Sequence, residues 1–264
     1  MYDKDIIDAT DFAAAHGFGF IVPDLMIPRF WPERFSLEER RKIRRHLVDR
    51  GVSISFHAPS DNIHLGVAYP EVREAIHIRM KLCLDLCQDL EAERFTVHPT
   101  QPNNFSSNGK TGEYLKSEEA MYRAALKESL RYLSDHSSSV EVCVENEPLT
   151  PFIENVLGEC FDEELRLFLT LDAPKALDGS RGDPKLVAAF YDKYKTRIRE
   201  IHLHDRRPGG HYHDVLGGGQ VDLSKVLETY ASLPVAFNLE IRPREAAARC
   251  LSQVREEWGR LGSN

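Results

Sequence analysis

The stretch REIHLHD, residues 199–205, is a short apolar run that carries a potential metal ligand, His202, near its end. Five other apolar runs of the chain finish in the same way, each with a histidine, an aspartate or a glutamate. They are SISFHAP with His57, RFTVHP with His98, EVCVENEP with Glu145, LFLTLDAP with Asp172 and AFNLEIRP with Glu240. Because parallel strands carry their carboxyl-terminal side chains to one edge of a sheet, we expect these side chains to lie close together.

The apolar runs alternate with helix-forming segments, which is the pattern of parallel strands joined by helical crossovers. Each run is continuously apolar, as expected for a strand that is covered on both faces. For a chain of 264 residues, this predicts an α/β fold of the TIM (β/α)8 barrel type, with residues 1–264 forming a single domain.

The number of predicted strands is one short of a closed barrel. The segment GFIVP, residues 19–23, adds a seventh strand to the six runs, whereas a barrel of this type has eight. We therefore expect that the first strand is degenerate, that the barrel is closed in another way, or that the chain begins after that strand.

The composition of the chain restricts its partners and its location. The formal net charge of −8 and the pI near 5.8 disfavour nucleic acid as a partner. The N-terminal MYDKDIID is too polar for a signal peptide, and no apolar stretch is long enough to span a bilayer. The five cysteines contain no CxxC pair, and Cys83 and Cys87 lie on an apolar helical stripe. These features predict a cytoplasmic chain without a membrane partner, and a homo-oligomer is left open.

The strand-end residues also predict a bound cation. Histidines and carboxylates are costly to bury together in one cavity unless a cation compensates the negative charge. Carboxylate oxygens combined with imidazole nitrogens suit Mn²⁺, Zn²⁺, Co²⁺ or Fe²⁺ better than Ca²⁺. The sequence therefore predicts a site for one or more divalent metal ions, without deciding which metal binds.

Residues 201–219, IHLHDRRPGGHYHDVLGGG, hold the densest group of candidate ligands. His202 and His204 are two residues apart, so they point the same way on a strand unless a bend or bulge at the strand end separates them. His211 and His213 lie in a glycine-bracketed loop that could fold back over the metal.

The ordered series of short motifs HAP, VHP, VEN, LDxxK, HLHD, HxHDVLGGG and LEIRP resembles that of the xylose-isomerase-like TIM barrels. That superfamily contains sugar isomerases, ketose 3-epimerases, inosose dehydratases and DNA-repair enzymes of the endonuclease IV type. The resemblance implies a metal held by four residues, Glu145, Asp172, His202 and Glu240. In the repair enzymes a three-zinc cluster also uses the positions that match His57, His98 and His213.

Two positions depart from this pattern. The family often has a histidine at the position of Lys175, and the repair enzymes have an aspartate at the position of His211. A protonated lysine cannot replace a zinc ligand, so the full three-metal cluster is in doubt. Lys175 could instead neutralise a substrate phosphate or carboxylate, or help to transfer a proton, and we predict a catalytic role for it.

The resemblance also implies a mechanism. The metal would bind a carbonyl and an adjacent hydroxyl of an open-chain sugar and acidify the neighbouring C–H bond. Glu145 and Glu240 would then remove a proton from one face and return it to the other through an enediolate. The polar loop from Thr100 to Lys116 is expected to be a lid over the barrel mouth. The predicted substrate contacts are His57, His98, Arg206 and Arg242.

Three hypotheses about function follow. The first is a metal-dependent isomerase or epimerase that acts on a sugar or sugar phosphate, which the acidic charge and the ligand set favour. The second is a zinc phosphodiesterase of the endonuclease IV type, which the additional histidines support and Lys175 weakens. The third is a non-catalytic barrel that binds a ligand, suggested only by the missing strand.

Overall fold

The computed structural model describes residues 3–60, 63–100, 106–107, 110–111, 113–178, 183–207 and 212–261. The strands are β1 (Phe20–Ile21), β2 (Ser53–Ile54), β3 (Phe56–His57), β4 (Arg94–Val97), β5 (Ser106–Ser107), β6 (Lys110–Thr111), β7 (Glu141–Glu145), β8 (Leu167–Asp172), β9 (Ile198–Leu203) and β10 (Ala236–Leu239). The helices are α1 (Ile6–His16), α2 (Leu37–Arg50), α3 (Pro70–Asp89), α4 (Glu113–His136), α5 (Pro151–Asp162), α6 (Ala173–Ala176), α7 (Pro184–Lys193), α8 (Leu223–Tyr230) and α9 (Arg244–Leu261).

The strands predicted for the barrel form a curled parallel sheet with helices between them. β1 pairs in parallel with β2, which continues after Ser55 as β3. The remaining parallel pairs follow the order β3, β4, β7, β8, β9 and β10. The α/β class, the TIM-type arrangement and the count of seven barrel strands are therefore confirmed for the described residues.

The segment predicted as a polar lid differs in part from the expectation. Within it, β5 and β6 form a short antiparallel hairpin. Helix α4 begins at Glu113, so the predicted loop end at Lys116 is wrong by about one helical turn. Residues 101–105, 108–109 and 112 lie outside the described residues, and the lid itself stays a prediction.

The eighth barrel position is a seam between β10 and β1. Among the described residues no ladder joins these two strands, and Asp3–Asp5, which precede α1, form no strand. Helices α1 and α9 are tied together beside the seam, because Arg244 Nη1 donates to Asp3 Oδ1 at 2.5 Å and to Asp8 Oδ2 at 2.8 Å. Phe20 and Phe237, on the two sides of the seam, line the same cavity of about 600 Å³.

The local sequence signals account for most helix boundaries. Ser36 and Glu39 form a capping box at the start of α2, and Asp183 caps α7 through a bond from the backbone N–H of Lys185. All five cysteines are free and buried, including Cys83 and Cys87 in the core. None of the helices within the described ranges is long and apolar enough to cross a membrane.

The loop between β9 and α8 is fixed by one buried carboxylate. Asp205 Oδ2 accepts the backbone N–H groups of three successive residues, Gly217, Gly218 and Gly219, at 2.8–3.2 Å. Its Oδ1 accepts those of Arg206 and Val221 at 2.9 and 3.1 Å. A side chain at Gly219 would collide with this carboxylate, which explains the need for glycine there. The DVLGGG motif is therefore the partner of Asp205.

We expect Asp205→Asn to lower the free energy of unfolding by about 2–4 kcal/mol, because it removes a buried charge that accepts several N–H groups. Urea unfolding measures this loss. The control is Asp214→Asn, whose carboxylate accepts from Val215 and pairs with the exposed Arg207; we expect a loss below about 1 kcal/mol there. Equal losses in the two variants would show that Asp205 does not hold the loop.

Candidate metal and active site

The strand-end residues predicted from the sequence meet at the carboxyl edge of the parallel sheet. Glu145 and Asp172 are the last residues of β7 and β8, and His57 is the last of β3. His98 and Glu240 directly follow β4 and β10, and His202 is the penultimate residue of β9. Parallel pairing in register places these ends together, with Asp172 opposite His202 in the β8–β9 ladder.

Three imidazole nitrogens converge on one oxygen of Glu145. Glu145 Oε2 lies 3.5 Å from His57 Nε2, 3.2 Å from His98 Nε2 and 3.5 Å from His202 Nδ1. The Nε2 atoms of His57 and His98 are 3.1 Å apart. His202 Nδ1 is also 3.5 Å from Glu240 Oε2, so it lies between the two glutamates.

These atoms fit a divalent metal ion. Glu145 Oε2 and both ring nitrogens of His202 are buried and have no hydrogen-bond partner among the described residues, which is costly unless a cation binds there. His57 Nδ1 bonds to the carbonyl oxygen of Ala58 at 2.8 Å; as an N–H donor to it, the ring leaves Nε2 with a lone pair. Ligands at about 2.1 Å from a tetrahedral ion lie about 3.4 Å from one another, close to the separations at Glu145 Oε2.

Lys175 lies on the other side of Glu145. Its Nζ donates to Glu145 Oε1 at 2.7 Å, lies 3.2 Å from Asp172 Oδ2, and pairs with the carboxylate of Glu147. The lysine side chain is 8% exposed. Glu147 is not among the site residues predicted from the sequence, but in the structure its carboxylate is part of the candidate site.

The position of His204 answers the question raised by the HLHD motif. Strand β9 ends at Leu203, and His204 turns to Asp172, with Nε2 at 3.0 Å from Oδ2. The backbone N–H of His213 donates to His204 Nδ1 at 3.0 Å, so the proton of a neutral His204 is on Nε2 and points to Asp172. His204 therefore orients Asp172, and its Nε2 is occupied by that bond.

A second buried carboxylate lies below His202. Glu200 Oε1 is 3.6 Å from His202 Nε2, on the side of the ring away from Glu145. Glu200 Oε2 lies 3.4 Å from Thr96 Oγ1 and 3.5 Å from Arg94 Nε. At this distance the contact is electrostatic, and the negative charge of Glu200 helps to raise the pKa of His202. Glu200 is not among the residues predicted from the sequence, although its position two residues before His202 places both side chains on one strand face.

His213 and Glu240 lie next to each other and both line the cavity. His213 Nδ1 lies 3.0 Å from the carbonyl oxygen of Glu240; as a donor to it, the ring keeps a lone pair on Nε2. Burial lowers the pKa of His213, which favours this neutral form. The residue has a φ of +68°, a left-handed conformation that is uncommon for histidine. His211 lies outside the described residues.

The charges of the site are strongly coupled. Burial lowers the pKa of His57 and of His202, but the neighbouring Glu145 and Glu240 outweigh burial and raise these pKa values to about 9 and about 10. Burial raises the pKa of Glu145, yet Lys175 and the histidines hold it well below its ordinary range. Burial also raises the pKa of Glu240, but the neighbouring His202 outweighs burial and lowers this pKa to about 2. The carboxylates therefore stay ionised and attract positive charge.

The cavity above these residues has a volume of about 600 Å³, within the range of small-molecule sites. His57, His98, Lys175, Glu240 and Arg242 line it, as do Glu147 and His213. The predicted contact Arg206 does not belong to the lining in the described part of the chain. Instead, Arg206 Nη1 pairs with Asp178 Oδ2 at 2.7 Å, and its guanidinium lies over the ring of Tyr212.

Comparisons with known proteins agree with this fold. The family described as xylose isomerase-like TIM barrel matches residues 10–254. A D-tagatose 3-epimerase-like protein superposes with a TM-score of 0.74 at 17% identity, covering 98% of this chain and 96% of its own. For 3-keto-D-glucoside 4-epimerase from E. coli the TM-score is 0.69 at 14% identity, with 97% and 96% covered.

A third similar structure is a protein from Thermus thermophilus, from a crystal soaked with ZnCl2. It has a TM-score of 0.69 at 21% identity, with 96% of this chain and 93% of that chain covered. No curated protein matches the sequence. At these identities the structures support the fold alone, whereas the family match covers most of the sequence: the chain belongs to the xylose isomerase-like TIM barrel family.

Proposed function

We propose that the protein is a metal-dependent isomerase or epimerase that acts on a sugar or sugar phosphate by proton transfer. The observation that carries this proposal is the pair of ionised carboxylates, Glu145 and Glu240, each with an oxygen 3.5 Å from His202 Nδ1. Two carboxylates on either side of one ligand atom suit the removal of a proton from one face of a carbon and its return to the other.

The donor set fits a divalent ion. The residues that would hold it are Glu145 through Oε2, His202 and Glu240, with His57, His98 and His213 as neighbours. The fourth predicted ligand, Asp172, has its Oδ2 engaged by Lys175 and His204. A metal bound at this site would supply Lewis-acid chemistry, polarising a substrate carbonyl and acidifying the adjacent C–H bond. Similar structures include proteins described as D-tagatose 3-epimerase-like and as a 3-keto-D-glucoside 4-epimerase, and this supports a sugar as the substrate.

The residues around the metal position would have different roles in proton transfer and substrate binding. Glu240 lines the cavity and its side chain is 18% exposed, so its carboxylate reaches substrate directly. Glu145 lies deeper, and the Lys175 ammonium on Oε1 keeps it ionised. His57, His98 and Arg242 line the cavity, where their polar groups can hold substrate hydroxyl or phosphate oxygens. Arg206 already pairs with Asp178 and does not line the cavity, so it is less suited to hold a substrate oxygen.

We expect Glu145→Gln and Glu240→Gln each to slow proton transfer by about 10²–10⁴-fold, because each removes a carboxylate that accepts the substrate proton. The assay supplies ketoses, aldoses and their phosphates with divalent metal in D₂O and follows loss of the C–H signal by NMR.

The control for this assay is Glu141→Gln. Glu141 is the first residue of β7, the same strand that carries Glu145, and it pairs with Arg199 at the opposite end of the sheet. We expect normal exchange in this variant. Normal turnover by either of the two other glutamine variants would refute the two-carboxylate mechanism.

A phosphodiesterase of the endonuclease IV type is a second candidate, favoured by the cluster of His57, His98 and Glu145. The net charge of −8 opposes binding of DNA. The ammonium of Lys175 also lies among the carboxylates, where it repels a further metal ion.

We therefore expect no cleavage of a duplex with one abasic site, at enzyme in excess over DNA and with Zn²⁺ present. Gel electrophoresis of end-labelled DNA at low salt measures cleavage under the conditions most favourable to binding. Metal-dependent cleavage that His98→Ala abolishes would favour the phosphodiesterase instead.

A further inference from the structure

Glu145 presents its two oxygens to two different sources of positive charge. Oε2 faces the nitrogens of His57, His98 and His202. Oε1 accepts a hydrogen bond from Lys175 Nζ at 2.7 Å. The histidine nitrogens converge on a single oxygen atom, so this side suits one ion, and the other side already holds an ammonium.

The Lys175 ammonium is saturated by carboxylates. It has three N–H donors and no acceptor, and it contacts three acidic residues: Glu145, Asp172 and Glu147. Since Nζ is 2.7 Å from Glu145 Oε1 and 3.2 Å from Asp172 Oδ2, a metal ion that bridged these two oxygens would occupy the same space. Lysine and a bridging metal therefore exclude each other.

The balance of charge points the same way. Five carboxylates contact either Lys175 or His202: Glu145, Glu147, Asp172, Glu240 and Glu200. Arg94 Nε, 3.5 Å from Glu200 Oε2, balances the charge of Glu200. For the other four carboxylates, with the histidines neutral as metal ligands, one ammonium and one divalent ion leave a single negative charge. A second divalent ion would reverse the sign, and its binding would have to overcome repulsion from the ammonium.

We propose that Lys175 is a built-in cation that takes the place of a second metal ion, so that the site holds one divalent ion per chain on the histidine side of Glu145. This inference rests on the metal centre of the proposed function. Lys175 is a positioning residue in this role, because it fixes Glu145 and Asp172 from the side opposite to the histidines.

The test is the metal content of the wild type and of Lys175→His. Metal-free protein is incubated with excess Zn²⁺, desalted and analysed for zinc per chain by mass spectrometry. We expect one ion in the wild type and two in the variant, because the imidazole is a neutral ligand that leaves the carboxylates free for a second ion. Two ions in the wild type, or one in both proteins, would overturn the proposal.

A second measurement does not depend on bound metal. Lys175→Met leaves the buried carboxylates of Glu145 and Asp172 and the partly buried one of Glu147 without their ammonium, so we expect the metal-free variant to melt well below the metal-free wild type. The control is Lys127→Met, whose ammonium pairs with Glu159 and Glu163 at 3.0 and 2.6 Å on the surface; we expect little change there. An unchanged melting temperature of Lys175→Met would refute the cation role.

The two proposals fail in different ways. If the wild type binds no metal and sugar isomerisation needs none, the metal centre is wrong and this inference falls with it. If the wild type binds two ions and Glu145→Gln still loses proton transfer, the proposed function stands and only the role of Lys175 is refuted.

Discussion

The candidate site depends on the carboxylate of Glu145, which is buried between Lys175 and the histidines. It is 1% exposed, and such an ion is stable only where positive charge or hydrogen-bond donors replace its lost water. Lys175 supplies this on one oxygen, and imidazoles lie around the other. The strand of Glu145, β7, lies in the middle of the parallel sheet, between β4 and β8.

The polar character of the barrel continues below the candidate metal site. Glu200 lies behind His202, and Arg94 lies behind Glu200, with its guanidinium over the ring of Phe20. Thr96 and Thr170 fill the same layer and are joined at 3.1 Å. A buried glutamate needs the nearby arginine to be tolerated, so Arg94 allows a negative charge to lie next to the His202 ring. Strands β4, β8 and β9, which carry candidate site residues at their ends, therefore also carry the polar residues below the site.

Much of the site could be predicted from sequence because the ends of parallel strands are a strong geometric constraint. An apolar run that ends in Glu145 or Asp172 has only one place to put that side chain once the strands are parallel and in register. The partners of Lys175 could not be predicted in the same way. A flexible lysine at a loop start is compatible with solvent, substrate or carboxylates, and only the packing of α6 after β8 selects among them. Whether His204 is a ligand depends on a backbone N–H from His213, nine residues later, and spacing alone does not show such a bond.

The loop after β9 shows how a distant element can control the candidate site. Asp205 and Asp214 form an antiparallel bridge, with backbone bonds of 2.9 and 3.1 Å, and this holds His213 against His204. The left-handed conformation of His213 costs about 1 kcal/mol or more, and the hydrogen bonds of Asp205 to the glycines offset that cost. His213 then fixes the proton of His204 on the atom that faces Asp172. The loop that carries the glycines is therefore connected, through hydrogen bonds alone, to Asp172, which the sequence predicts as a metal ligand.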